Sequence, residues 1–209
     1  NYAVQQAQGS ILCLLNNDTE VIAPDWLDEM VSRCLQPTSG VVGARLYYTD
    51  GRVQHAGDVV GIGGGATHLH GVIAAHAVGY MHRAVAAQDL SAVTAACLVT
   101  PKALYQQLGG LNAEQLKVAF NDVDYCLRVR QAGYKVIYTP YAELYHHESV
   151  SRGPEDTPQK QARAKAEGNY MRQHWKVMTE GDPFYNPNLN QIKADFSLAK
   201  APSITWPWK

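Results

Sequence analysis

The chain has 209 residues, 46% hydrophobic and 18% charged, which is room for one globular domain with a sizeable core. Eighteen basic against nineteen acidic side chains leave a net charge of −1, so no bulk field draws in nucleic acid or anionic lipid. The apolar run Ile11–Leu15 falls far short of the ~20 residues that span a bilayer, and no basic-then-apolar leader opens the sequence; both argue against a membrane-spanning or secreted chain.

Asn1–Gln8 reads as the tail of a helix, and the chain does not open on Met, so a piece upstream is expected. Ser10–Leu15 has the continuous apolar pattern of a strand buried on both faces, and it stops in the polar cluster Asn16–Glu20. Pro24 opens a helix running to about Leu35, with Trp26, Leu27, Met30, Val31 and Leu35 on one stripe. Val41–Tyr48 and Val53–Val60 read as strands around a Thr49-Asp50-Gly51 turn, followed by a Gly- and His-rich loop from Gly61 to Arg83. Ser91–Val99 is another apolar run, after which Thr100 caps a helix ended by Gly109-Gly110. Asn121 caps a helix that stops at Gly133. Tyr134–Tyr138 is a strand halted by Pro140, and Ala142–His147 is a second one. Thr157-Pro158 caps a long polar helix to about Trp175, and the rest reads as an extended arm over the body or a disordered tail. Cys13, Cys97 and Cys126 lie inside apolar patterns without a C-x-x-C pair and read as buried thiols. Strands interleaved with helices predict an α/β layered fold around a mixed, mostly parallel sheet, with ligands beyond the carboxyl ends of its strands.

Three clusters stand where chemistry is expected. Asn16-Asn17-Asp18 follows the first strand, and a carboxylate there suits a hard cation with oxygen ligands; an Asx turn explains the same residues equally well. Asn121-Asp122-Val123-Asp124 opens a helix, with Asn121 as cap. Asp124 is accounted for by folding back on the cap and by Arg128 four residues on. Asp122 projects elsewhere, as either a catalytic carboxylate or a complement to the helix dipole. At His146-His147, strand alternation sends the two rings to opposite faces, so at most one enters a given site. Gly61–Ala66 matches a dinucleotide fingerprint only formally, because no helix follows. His55, His68, His70, His76 and His82 crowd 28 residues, yet no acid at metal spacing is evident among them, which favours a substrate-touching loop over a zinc site.

The segments LLNNDTEVIAPDWL, VTAACLVTPKALYQQLGGLN and FNDVDYCLRVRQAGYKVIYTPYAELYHHES, in this order, resemble family 2 glycosyltransferases of the GT-A fold. More narrowly, they are similar to bacterial rhamnosyltransferase-like enzymes of O-antigen and surface-polysaccharide synthesis. The resemblance implies inverting transfer of a sugar from a nucleotide-diphospho-sugar donor to a saccharide or lipid-linked saccharide acceptor, with Mn²⁺ or Mg²⁺. Asn16-Asn17-Asp18 stands where the family has D-x-D, so Asp18 would ligate the metal, with Asn16 as a departure at the first position. Asn121-Asp122 stands where the family has Glu-Asp, making Asp122 the general base. His146 matches a downstream histidine that helps ligate the metal, with His147 as the other candidate. Asn17, Asn121, His147 and Arg152 would contact substrate. The resemblance also implies a cytoplasmic protein at the inner face of the membrane. Residues 1–155 would carry the metal, base and acceptor side, and 156–209 a C-terminal helix and tail on the same domain. Because the family holds the nucleotide largely ahead of the metal motif, an N-terminally truncated, inactive chain is expected. A sugar-nucleotide nucleotidyltransferase and a non-catalytic carbohydrate-binding remnant of the same fold are the alternatives.

Overall fold

A computed structural model gives the protein's structure over residues 1–147 and 157–203; Arg152 lies outside these described residues. In chain order the elements are α1 (Tyr2–Gln6), β1 (Ile11–Leu15), β2 (Thr19–Val21), α2 (Trp26–Cys34), β3 (Ser39–Tyr47), β4 (Val53–His55), β5 (Asp58–Val60), β6 (Ala66–His68) and β7 (Gln88–Asp89). They continue with β8 (Cys97–Pro101), α3 (Lys102–Gln107), α4 (Asn121–Gln131), β9 (Lys135–His146), α5 (Pro158–His174) and α6 (Val177–Glu180). Among the described residues, the main sheet runs β1-β8-β3-β9-β2, with β4 paired to β3 and β7 to β9, while β5 and β6 form a separate hairpin.

Strand β3 is buried at every position, and its alternation sorts the core into two layers. Val42, Ala44 and Leu46 face Met30 and Cys34 of α2. On the other side, Val41 and Tyr47 join the cluster built with Val123, Leu127 and Val129 of α4 and Met171 of α5. Met30 is fully buried, and a burial of that size stabilises by about 1.5–3 kcal/mol. The result is a sheet with helices on both faces.

The sheet is mixed, but its parallel share is smaller than the sequence suggests. Among the described residues, only β3 and β9 pair in parallel; β1–β8, β8–β3, β3–β4, β9–β2 and β7–β9 are antiparallel. A parallel pair needs a long crossover, which the stretch from β3 to β9 supplies, whereas β3 and β4 are joined by the tight turn at Thr49–Gly51. Strand β1 is not buried on both faces. It pairs with β8 on one side, Leu12 is its one fully buried residue, and Cys13 and Leu15 are exposed.

Several boundaries also move. Val53–Val60 is two strands, broken at Gly57, whose φ is 89° and whose Cβ would lie 1.9 Å from Leu90 Cδ1. Thr100 is not a helix cap: it is the fourth residue of β8, and its buried hydroxyl donates to Gly40 O at 2.7 Å. Strand β9 runs through Pro140 without stopping. Its register against β3 slips between Gly43↔Tyr138 and Arg45↔Glu143, and this bulge houses the proline. The Asn16–Glu20 cluster is not only a turn, since Thr19–Val21 adds the short strand β2 against the end of β9. Thr157 caps α5 as predicted, its hydroxyl accepting from Lys160 N at 3.3 Å.

The described part of the C-terminal arm lies on the body. Asp182 is buried and accepts from Val60 N at 2.7 Å and Phe184 N at 2.8 Å. Phe196 is stacked between His70 and Tyr80, with centroids 4.6 and 4.7 Å away. Burial, with Arg83 and Arg45 adding to it, pulls the His70 pKa down to about 4. An unfolded histidine takes up its proton near pH 6.5, so falling pH favours the unfolded chain. His55, wholly buried, shifts in the same direction. The melting temperature should therefore drop as pH falls from 6.5 toward 4, and scanning calorimetry of His70→Asn should show a shallower dependence over that window.

Candidate active site

Backbone pairing brings the first and third sequence clusters together. Asn16 N donates to Ala96 O at 2.9 Å, extending the β1–β8 ladder by one residue, and Thr19 Oγ1 closes the turn on Asn16 O at 2.8 Å. Strand β2 then pairs Thr19 with His146, and His147 N donates to Asp18 O at 2.8 Å. Asp18 is thus set against the end of β9, with its Oδ1 3.3 Å from His146 Nε2. Asn16 Nδ2 lies 3.2 Å from the same ring nitrogen.

The chemistry of this cluster fits a divalent cation. Asp18 Oδ1 is buried and makes no hydrogen bond, an arrangement that is costly without a compensating charge. His146 Nδ1 faces Gln54 Oε1 at 2.7 Å, and Gln54 Nε2 donates to His146 O at 3.3 Å. A carboxylate oxygen and an imidazole nitrogen converging on one point are ligands that Mn²⁺ accepts. Asn16 presents its amide nitrogen to the ring, so in this conformation it donates to His146 and does not offer an oxygen. His147 turns the other way, to Glu20 Oε2 at 3.2 Å, and Asn17 is exposed.

The second cluster reaches the same region from α4. The helix begins one residue earlier than the sequence suggests: its cap is Phe120, held at φ 62°, so Asn121 and Asp122 occupy the first two helical positions. Asp122 Oδ1 accepts from Val123 N at 2.9 Å and Oδ2 from Ala95 N at 3.0 Å. Asp124 is not part of a capping box; it is buried and accepts from Arg128 Nε and Trp175 Nε1, both at 2.9 Å. The two acids of the motif therefore separate, one fixed in the interior and one at a cleft. That cleft, about 550 Å³, is lined by Leu14, Asn16, Thr94, Ala95, Asn121 and Asp122 among others.

Some supporting residues carry no sequence signal. Glu167, buried on the otherwise polar α5, accepts from Val118 N and Ala119 N, both at 3.0 Å, and so holds the segment that leads into Phe120 and Asp122. The histidine-rich stretch does contain an acid, Asp58, three residues after His55. Its Oδ1 is 2.5 Å from His68 Nδ1 and 3.5 Å from His55 Nδ1, and the two Nδ1 atoms, 3.1 Å apart, both face it. Burial alone would raise the Asp58 carboxyl, but His68 and His55 outweigh it and hold the group well below the usual range. These three ligand-type atoms are close enough for a cation. Thr94 N donates to His55 Nε2 at 3.5 Å, which puts the ring's proton on Nδ1, facing Asp58. Gly61–Gly64 forms a short 3₁₀ turn, not the helix N-terminus that a dinucleotide fingerprint needs.

Helices cover both faces of the mixed sheet, as in the GT-A glycosyltransferase fold. Residues 1–169 match the family described as Glycosyltransferase like family 2, and the chain belongs to that family. It is 54% identical over 199 residues to the uncharacterized protein y4gI of Sinorhizobium fredii, covering 95% of this chain and 22% of that one. It is 37% identical over 204 residues to the O-antigen biosynthesis protein RfbC of Myxococcus xanthus, covering 97% and 16%. The chain thus spans about a fifth or less of the length of these relatives. A structure of GalNAc-T7 with UDP, GalNAc and Mn²⁺ superposes with a TM-score of 0.60 at 12% identity, over 85% of this chain and 34% of that one; the likeness is one of fold.

Glu167 makes two charge-assisted bonds to the backbone N–H groups of Val118 and Ala119 in the segment that leads into α4. Glu167→Ala should therefore lower stability by about 2–3 kcal/mol in urea unfolding.

Proposed function

We propose that this chain carries the catalytic centre of an inverting glycosyltransferase that moves a sugar from a nucleotide-diphosphate donor to an acceptor hydroxyl in bacterial surface-polysaccharide synthesis. The observation that carries the reading is the pairing of Asp18, through its buried Oδ1, with His146, on the same side of the molecule as a cleft that Asn16 and Asp122 line together. The O-antigen relative supports the pathway, and the Mn²⁺ and nucleotide in the fold neighbour support the cofactor and donor class.

In this reading Asp18 and His146 hold Mn²⁺ or Mg²⁺. When bound, the ion acts as a Lewis acid toward the negative charge on the diphosphate leaving group. Asp122 takes the proton of the acceptor hydroxyl while that oxygen forms its bond to the anomeric carbon and the bond to the nucleoside diphosphate breaks. Attack from the side opposite the leaving group inverts the anomeric centre. Both Asp122 oxygens already accept a backbone N–H, which fixes the carboxylate's plane, and each keeps a further lone pair for the incoming proton. Asn121 and Asn17 lie beside these groups as polar contacts for sugar hydroxyls. The acceptor is a saccharide or lipid-linked saccharide at the cytoplasmic face of the inner membrane.

Asp122→Asn keeps one oxygen to accept a backbone N–H, sets its NH₂ against the other, and removes the base. In the full-length protein it should lower kcat by about 10²–10⁴-fold with only a modest fall in melting temperature. Turnover within tenfold of native, with stability reduced, would assign Asp122 to the helix end alone. Calorimetric titration with UDP, GDP and dTDP in excess Mn²⁺ should show saturable binding of one nucleotide, lost in Asp18→Ala. Unaltered binding in that variant would remove Asp18 from the donor site.

A further inference from the structure

Two adjacent residues of β4 reach the two halves of the proposed site from a position that no sequence motif marks. Gln54 and His55 are both buried, at 2% and 0% exposure, and β4 itself is pinned to β3 through Leu46↔His55 and Tyr47↔Val53. Neighbours on a strand point in opposite directions, so one dipeptide can serve two partners. We infer that Gln54 and His55 are positioning residues that bracket the centre, Gln54 orienting the metal-side His146 and His55 orienting the turn on which Asp122 rests. This inference builds on the transferase reading above.

The Gln54 half follows from donor and acceptor logic. The backbone carbonyl of His146 can only accept, so the side-chain NH₂ of Gln54 must face it, at 3.3 Å. Gln54 Oε1 is then the atom 2.7 Å from His146 Nδ1, and the ring must donate from Nδ1. That choice leaves Nε2 unprotonated, accepting from the Asn16 amide and 3.3 Å from Asp18 Oδ1. A lone pair set beside a carboxylate oxygen is a ligand arrangement, and a hydrogen bond to the remote nitrogen is how proteins fix the ring of a metal-bound histidine.

The His55 half follows in the same way. Thr94 N–H can only donate, so His55 Nε2 accepts and Nδ1–H faces Asp58. Asp58 in turn is tied through its own N to Ala92 O at 2.9 Å and through Oδ1 to His68. The turn is therefore held at three points in a row: Ala92 by the Asp58 backbone, Thr94 by His55, and Ala95 by Asp122 itself. A shift of the Thr94 peptide would carry the Ala95 amide, and with it the donor that sets the Asp122 carboxylate.

The two halves predict opposite patterns in two measurements, neither of which requires turnover. Gln54→Leu should weaken binding of Mn²⁺ alone by about ten- to a hundredfold in calorimetry while leaving amide exchange at Thr94 and Ala95 at native rates. His55→Leu should speed exchange at Thr94 and Ala95 by about three- to tenfold while leaving Mn²⁺ affinity unchanged. If His55→Leu does not fold, His68→Ala, at a half-exposed ring, withdraws the support of His55 and should speed the same two amides. Native Mn²⁺ affinity in Gln54→Leu, or native exchange in the folded His-site variant, overturns the corresponding half. In the full-length protein both variants should lower kcat with KM for the acceptor nearly unchanged, which general loss of structure would not produce. Should the native protein bind no Mn²⁺, the metal assignment and the Gln54 half fall together, and the exchange measurement still decides the His55 half. Should the binding and exchange shifts appear without any sugar transfer by the native protein, the transferase reading falls and the bracket stands.

Discussion

Strand β9 is the constraint from which the site follows. Over its length it pairs in parallel with β3 and in antiparallel fashion with β7 and β2. Its final residues are held by β2, and that short ladder places Asp18 against His146 and sends His147 to Glu20. Because side chains alternate along a strand, a slip of one residue would exchange the two histidines. The bulge at Pro140 is therefore significant: it absorbs the register change before the chain reaches His146. Burial of Ala142 and Leu144 on the α2 side then fixes which face the last residues present.

Around this spine the polar groups divide between support and exposure. Asp124, Glu167 and Asp58 are buried carboxylates whose acceptor sites are taken up by Arg128 and Trp175, by two backbone N–H groups, and by two histidines respectively. Asp18 differs in having a buried oxygen without a hydrogen bond, and Asp122 differs in lining a cleft. A buried carboxylate that is fully partnered stabilises the fold, while one left unpartnered costs stability unless a ligand completes it. That contrast sets Asp18 and Asp122 apart from the three fully partnered acids more sharply than their sequence neighbourhoods do. The C-terminal arm adds a further layer of support, since Asp182 and Phe196 fasten it to the turn at Val60 and to the ring of His70.

Much of this was legible in the order of residues. The apolar runs at Ile11–Leu15 and Val41–Tyr48 and the Thr157-Pro158 cap depend on local periodicity and local hydrogen bonding, and they lie close to where the pattern places them; the stripe of α2 is only partly kept, since Met30 is buried while Leu27 and Leu35 are exposed. The separation of Asp122 from Asp124 was also readable, because three or four residues of helix fix their relative direction. Local reasoning failed where a distant segment supplied the missing partner. Thr100 has the composition of a cap, yet its hydroxyl bonds to Gly40 sixty residues away; Pro140 has the composition of a stop, yet β3 accommodates it in a bulge.

The sequence alone determined the α/β class of fold, because periodicity is a property of neighbouring residues, while its candidate acids and histidines took their expected roles from the family resemblance. The sheet order was decided only in three dimensions, and with it the exposed edge at β1 and the choice of His146 over His147 beside Asp18. The same holds for Gln54, His55 and Glu167, whose roles rest on backbone groups dozens of residues distant. Such partners are selected by the free energy of the whole packed core, in which most buried donors and acceptors are matched together, and no window of the chain contains that condition.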